Sequence, residues 1–277
     1  MSTQIEPRAL SGLILKKAVK VLDGSWALDG TDMQALYRHE HLPGAQFFDL
    51  EAITDQKSSL PHMAPSPEQF AEALGKMGIT KTDHVVIYDR QGLFSAARVW
   101  WTFKLMGHEK VQVLRGGLPA WIGEGFPVTD QAAAFTPTVY TPACIQEIII
   151  NINDLRSTLK APDSLILDAR PKARFDGTAP EPRAGLRSGH MPGSRSLPFA
   201  DLVNNGALKP VGELEAIFQA YGVADAQTIV TSCGSGVTAA IISMALYEIG
   251  HTAVHLYDGS WAEWGQEILD TPVVTGA

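Results

Sequence analysis

Short runs of β-branched and aliphatic residues alternate along this chain with stretches whose apolar positions recur at helical spacing. Val85–Tyr88 is one such run, and the apolar residues across 96–106 form a helix behind it. Later, Thr228–Ser232 reads as a buried strand, while Ala239, Ile242, Leu246 and Ile249 mark a helix that Gly250 stops. Strand and helix taking turns in this way predict an α/β fold in which parallel sheets are flanked by helices, with right-handed crossovers.

The pattern occurs twice. HLPGAQFFD from His41 answers HMPGSRSLPF from His190, and HVVIYDRQGLFSAARVWWTFKLMGH from His84 answers TIVTSCGSGVTAAIISMALYEIGH from Thr228. VQVLRGGLPAWIGEGFPV then answers VHLYDGSWAEWGQEI, with Trp121 falling on Trp264. Matches that keep their order and separation imply a duplicated module of domain size. The expected division is residues 1–132, a connector at 133–147, and residues 148–277. The connector carries small residues and two prolines without helical periodicity, which predicts an extended segment.

Composition narrows the function. The 277 residues are 45% hydrophobic and 19% charged, enough for two cores, and a net charge of −8 argues against nucleic acid as the main partner. No apolar stretch approaches the roughly 20 residues of a membrane span. The first 20 residues carry Glu6 and Pro7 and only a short apolar run before Lys16, unlike a secretory signal. Two cysteines, Cys144 and Cys233, are too few for a disulfide framework and suit a reducing compartment, so the expected location is the cytoplasm.

Cys233 is the residue with chemistry to offer. It stands between a strand and a helix N-terminus, where the helix dipole and unpaired N–H groups favour an anion, the setting in which thiols become reactive. Gly234 and Gly236 let the backbone of the loop 234–238 curl so that its N–H groups face whatever sulfur Cys233 carries. A cysteine taken alone is more often an inert buried residue; the strand, glycine turn and helix reverse that preference. In the first copy the matching position is Asp89, so one active site per chain is expected. Cys144, in the connector and away from any glycine turn, reads as structural or incidental. His41 and His190, each before Pro-Gly, read as turn-fixing residues, because the copy without the thiol keeps the motif. Trp100, Trp101, Trp121, Trp261 and Trp264 read mostly as core, with a pocket mouth left as the alternative place for Trp261 and Trp264. The two DGSW strings, at Asp23 and Asp258, fall at non-equivalent places and carry no site signal.

CGSGVTAA after an apolar strand, the paired H-[LM]-P-G motifs and the tandem arrangement with one cysteine resemble the rhodanese superfamily. ARFDGTAPEPRAGLRSGHMPGS joined to CGSGVTA is, more narrowly, similar to the 3-mercaptopyruvate sulfurtransferases of bacterial type. The resemblance covers essentially the whole chain. It implies two tandem rhodanese-like domains, the second one catalytic. It also implies transfer of sulfane sulfur from 3-mercaptopyruvate through a Cys233 persulfide, cradled by Gly234, Gly236, Val237 and Thr238, to an acceptor such as thioredoxin, glutathione or cyanide, with pyruvate released. No metal or organic cofactor is expected, since no His/Cys cluster, phosphate loop or dinucleotide fingerprint occurs.

By the same resemblance Arg174 and Arg183 bind the substrate carboxylate and carbonyl, work that guanidinium forks do well. The bland reading is two surface arginines paired with Asp176 and Glu181, with Arg170 and Arg187 as nearby competitors. Ser235 and His62 are the expected hydroxyl and imidazole of a proton relay. Against them stand a helix-capping serine and a loop histidine. Where the family has an aspartate this chain has Glu51, with Asp49 two residues earlier, and either carboxylate can be the third member.

Competing classes are separated by the same loop. Rhodaneses that use thiosulfate have basic residues directly after the cysteine, whereas Gly234 and Ser235 are neutral and suit a donor whose charge lies at its far end. A cysteine-loop phosphatase needs an arginine six residues after the cysteine, and Ala239 stands there. A non-catalytic rhodanese-like binding module has no need of Cys233.

Overall fold

The computed structural model describes residues 2–276. It divides into two compact units, each an α/β body with one parallel five-stranded sheet. In the first, β1 (Gln4–Ile5), β2 (Lys20–Asp23), β3 (Ala45–Phe47), β4 (Val85–Tyr88) and β5 (Val111–Leu114) lie in the order β1-β5-β4-β2-β3. Its helices are α1 (Pro7–Leu15), α2 (Met33–His39), α3 (Pro67–Lys76), α4 (Ala96–Leu105) and α5 (Gly117–Gly123).

The second unit repeats the plan with β6 (Ile149–Ile150), β7 (Ser164–Asp168), β8 (Arg195–Ser196), β11 (Thr228–Ser232) and β12 (Val254–Tyr257), in the order β6-β12-β11-β7-β8. Between β8 and β11 run two further short strands, β9 (Val203–Asn204) and β10 (Ala207–Leu208). Its helices are α6 (Ile152–Thr158), α7 (Lys172–Phe175), α8 (Val211–Ala220), α9 (Ala239–Glu248) and α10 (Ser260–Trp264).

The local causes are ordinary ones. Pro67 opens α3 behind Ser66, whose side chain accepts the Gln69 N–H while Gln69 reaches back to the Ser66 N–H. Asn151 caps α6 through the N–H groups of Asn153 and Asp154. The central strands β4 and β11 lie mid-sheet and are buried along nearly their whole length because both faces are covered.

The duplication extends to side-chain contacts. Leu10, Val21, Leu42, Val86, Leu118 and Trp121 form one core; Leu155, Ile166, Met191, Val230, Trp261 and Trp264 form its counterpart. The two matching tryptophans each donate the indole N–H to a proline carbonyl, Trp121 to Pro127 at 2.8 Å and Trp264 to Pro272 at 2.9 Å.

The connector has no regular secondary structure as far as Ile145, but it is not loose. The N–H groups of Thr138, Ala143 and Ile145 donate to the carbonyls of Gly75, Met106 and Leu105, and Tyr140 is buried, so the segment belongs to the first unit as far as Ile145. A Cβ at Gly75 would lie 2.7 Å from the Thr138 carbonyl, which is why a glycine stands there.

Each unit also includes a short arm from the other half of the chain. Ser58–Met63, which lies between β3 and α3, belongs to the second unit, and Asn205–Leu208, between β8 and α8, belongs to the first. The arms thus come from the same place in the repeat. In the first unit the arm's Gly206 backbone rests on Gly92, where an added Cβ would come within 2.6 Å of it.

Asp23, at the end of β2, gives a pH prediction. Its side chain is fully buried; Oδ1 accepts the Ser25 N–H at 3.0 Å and Oδ2 has no partner. Burial pushes its carboxyl above the usual carboxylate range, more than the hydrogen bonds to Ser25 pull it down. For a group with a raised folded pKa, stability is fully present below the unfolded value near 3.8 and is lost as pH rises through the folded value. Asp23→Asn is therefore expected to gain about 1–2 kcal/mol at pH 7 and nothing near the unfolded pKa. Urea unfolding at the two pH values tests this, and a variant less stable at pH 7 would contradict it.

Candidate functional site

Cys233 follows β11, the middle strand, at the carboxyl edge of the second sheet, where open α/β folds bind ligands. It is 2% exposed, its N–H donates to Ser260 Oγ at 3.2 Å, and its carbonyl accepts the Trp261 N–H at 2.9 Å. The Gly234 carbonyl accepts the Ala262 N–H at 2.8 Å. The loop is thereby clamped from below by the start of α10, and Val237 seals it into the core.

The two glycines serve different ends. Gly236 is left-handed, with φ of 76°, and turns the chain toward α9 behind Thr238. Gly234 is not left-handed; a Cβ on it would lie 3.1 Å from Arg174 Nη2, so its bareness makes room for a guanidinium.

The first unit shows what such a loop does with its N–H groups. Asp89 holds the position after β4 that Cys233 holds after β11, and its buried carboxylate accepts the N–H groups of Gln91 at 2.9 Å, Phe94 at 2.8 Å and Ala96 at 2.9 Å. In that unit a loop of the same kind converges on an anion supplied by its own first residue.

His62 and Ser235 are brought together. His62 arrives on the arm 58–63 in a left-handed conformation (φ of 59°), is 3% exposed, and places Nδ1 3.0 Å from Ser235 Oγ. The N-cap position of α9 is held by Thr238 and not by Ser235, so the helix-capping alternative is set aside. Glu51 lies in the first unit, exposed, with Oε1 accepting the Trp26 indole N–H at 2.6 Å. Asp49 caps the N–H groups of Glu51 and Ala52 through Oδ1. Both carboxylates line a cavity of about 320 Å³ in that unit.

The four arginines of the 170–187 segment separate by environment. Arg170 is buried, with Nε and Nη2 on the Asp168 carboxylate, Nη1 on Glu181 at 2.9 Å, and its guanidinium 4.2 Å above the Trp261 ring. Burial alone would lower its pKa; Asp168 and Glu181 outweigh that and raise it. Arg187 donates to the carbonyls of Trp264, Gly265 and Thr271 and to the Thr271 hydroxyl. These two are scaffold. Arg174 binds Glu181 through Nε at 3.2 Å and Nη2 at 2.5 Å, and keeps 19% of its side chain exposed beside Gly234. Arg183 lines a cavity of about 280 Å³ with Leu60, Pro61, Leu186, Ala262 and Ile268. The surface-pair alternative is half met: Arg174 is paired with Glu181, while Asp176 pairs with Lys172.

Trp261 and Trp264 are core residues, fully buried beneath the loop, and the pocket-mouth alternative falls. One expectation is corrected. The second DGSW string does belong to the site, since Ser260 and Trp261 hold both backbone groups of Cys233. The repeat carries the signal: Leu118 N–H bonds the Asp89 carbonyl in the first unit as Trp261 N–H bonds that of Cys233. His41 and His190 are scaffold, with His41 bonded to the Tyr37 and Gln131 carbonyls and His190 to that of Phe175. Cys144 is half-buried in the connector, and neither cysteine is in a disulfide. Among the described residues no group of three or more His, Cys, Asp and Glu side chains is placed to hold a metal, and no helix is long and apolar enough to cross a membrane.

Two α/β units on one plan, with a thiol at the edge of one sheet and a carboxylate at the matching edge of the other, define a tandem α/β protein with a single cysteine loop. The rhodanese-like domain matches residues 6–124 and again 151–267, and the chain belongs to that family. It is 40% identical over 258 residues to the 3-mercaptopyruvate sulfurtransferase of Escherichia coli K12, covering 92% of each chain. It is also 40% identical over 279 residues to the mitochondrial thiosulfate/3-mercaptopyruvate sulfurtransferase 1 of Arabidopsis thaliana, covering 92% of this chain and 73% of that one. The crystal structure of E. coli SseA, described as having the rhodanese fold of 3-mercaptopyruvate sulfotransferases, superimposes with a TM-score of 0.86 at 37% identity, over 95% of this chain and all of that one.

Proposed function

We propose that the protein is a sulfurtransferase that takes sulfur from 3-mercaptopyruvate onto Cys233 and passes it to a thiol or to cyanide. The observation that carries the reading is the Ser235–His62 contact at 3.0 Å in the loop where Arg174 rests on Gly234: a proton relay and a carboxylate-binding cation flank the thiol at the sheet edge. The relatives named for this donor support it.

In the proposed reaction the Cys233 thiolate attacks the substrate sulfur and the carbon–sulfur bond breaks. The electron pair leaves on pyruvate enolate, which takes a proton at carbon, and the sulfur stays on Cys233 as a persulfide. Arg174 and Arg183 hold the carboxylate and carbonyl, so the enolate oxygen develops its charge against a cation. Ser235 and His62 move the proton. N–H groups of the loop 234–238 hold the outer sulfur, as those of the first unit hold the Asp89 carboxylate. An acceptor thiolate, from thioredoxin or glutathione, or cyanide, then attacks that sulfur and frees the Cys233 thiolate. Two cysteines outside any disulfide fit the reducing cytoplasm.

Thiosulfate, which the Arabidopsis relative's name includes, is the second reading of the donor. Specificity constants for both donors, followed as pyruvate and as thiocyanate, decide between them, and mercaptopyruvate is expected to lead by about 100-fold or more. Ser235→Ala and His62→Gln should each lower kcat for mercaptopyruvate by about 10²–10³. Equal donor constants would favour the second reading, and unchanged kcat in both variants would remove the relay.

A further inference from the structure

We propose that Glu181 is a positioning and donor-selecting residue. Its carboxylate fixes the Arg174 guanidinium beside Cys233 and cancels its charge, so that the site takes a singly charged donor over a doubly charged one. The inference rests on the sulfurtransferase reading above and adds to it the group that sets the charge of the site.

Glu181 is 1% exposed as a side chain, and both its oxygens are used: Oε1 by Arg170 Nη1 and Arg174 Nε, Oε2 by Arg174 Nη2. Arg170 is itself locked, on Asp168 and over Trp261, so Glu181 is held from behind and cannot follow Arg174 if that side chain moves. Bidentate pairing through Nε and Nη2 sets the plane of the guanidinium and leaves the Nη1 corner outside the Glu181 contact. The same guanidinium lies against Gly234, one residue from the thiol.

Charge follows from the pairing. Two guanidinium groups, Arg170 and Arg174, face two buried carboxylates, Asp168 and Glu181, so the cluster is neutral. A donor with one carboxylate needs only the directed N–H corner that Glu181 leaves to Arg174. A dianion such as thiosulfate meets no net positive charge at this cluster and nothing at Gly234 or Ser235 supplies one, so that of the cations assigned to the donor only Arg183 lies outside the neutral cluster.

Glu181→Gln keeps the shape and removes the charge, and Glu181→Asp keeps the charge. Two readouts are taken on folded protein, checked by near-UV circular dichroism. The first is the ratio of kcat/KM for mercaptopyruvate to that for thiosulfate, expected to fall about tenfold in the Gln variant by loss of positioning together with an uncovered cation. The second uses no donor: the rate of Cys233 alkylation by iodoacetate relative to iodoacetamide, mapped by peptide mass so that Cys144 does not count. An uncompensated Arg174 should raise that ratio about threefold in the Gln variant and leave it unchanged in the Asp variant. Arg174→Met, which shifts the balance the other way, should lower it by a similar factor and serves where the Gln variant does not fold. A folded Glu181→Gln protein, or Arg174→Met, with the wild-type alkylation ratio overturns the proposal. A wild-type enzyme that prefers thiosulfate overturns the donor reading instead, and the alkylation ratio still judges Glu181.

Discussion

Replacing Cys233 by serine is expected to abolish sulfur transfer, lowering kcat for 3-mercaptopyruvate by at least about 10⁴-fold while leaving the protein folded. The thiol is the group proposed both to attack sulfur and to carry it, and a serine hydroxyl is a far weaker nucleophile at neutral pH that forms no persulfide. The other cysteine, Cys144, sits in the connector of the first unit. Serine is close in size, and Cys233 is held through its backbone, by Ser260 and Trp261, so the loop keeps its shape. The measurement is pyruvate release together with intact mass after exposure to donor without acceptor: wild type gains one sulfur atom, the variant none. Sulfur transfer that survives in Cys233→Ser and is lost only on removing Cys144 would sink the assignment.

The largest effect on stability is expected at Arg170. Arg170→Ala should cost about 3–5 kcal/mol, because it strands the fully buried Asp168 and leaves Glu181 with a single partner. It also removes the guanidinium from the Trp261 face and the donor to the Gly189 carbonyl. Lys172→Ala is the matched control: its pair with Asp176 is exposed on the lysine side, and its loss should stay within about 0.5 kcal/mol. Urea midpoints of the two variants make the comparison. Similar midpoints would mean that the cluster contributes no more than a surface pair and that Arg170 has been misread as scaffold.

That contrast marks where the sequence stops being readable. Val85–Tyr88 and Thr228–Ser232 stand out because a strand covered on both faces has no polar alternation to blur it, and both have the bounds read from the chain. Cys233 and its counterpart Asp89 follow from those strands. Arginine has no such periodicity. Arg170, Arg174, Arg183 and Arg187 look alike in a glycine- and proline-rich segment, and only their neighbours make two of them scaffold. For Trp261 the sequence leaves a pocket mouth open beside the core, because nothing in a composition tells a covering tryptophan from a buried one. Ser260 escaped for a different reason: Asp23 and Asp258 share the DGSW string by chance, while the true counterpart of Ser260 is in the differently spelled GGLPAW. His62 was legible as a residue through its motif, yet its membership of the second unit depends on a loop with no regular hydrogen-bonding pattern.

The crossed arms have a consequence for anyone who treats the halves as modules. The chain looks cleavable at the connector, but a cut there separates the thiol from the imidazole, because Ser58–Met63 is encoded with one half and folds into the other. The same cut takes Asn205–Leu208 away from the loop of Asp89. The working unit is therefore discontinuous in the gene. A fragment that begins at the second repeat has every strand of the cysteine-bearing sheet and still lacks the histidine that touches its serine.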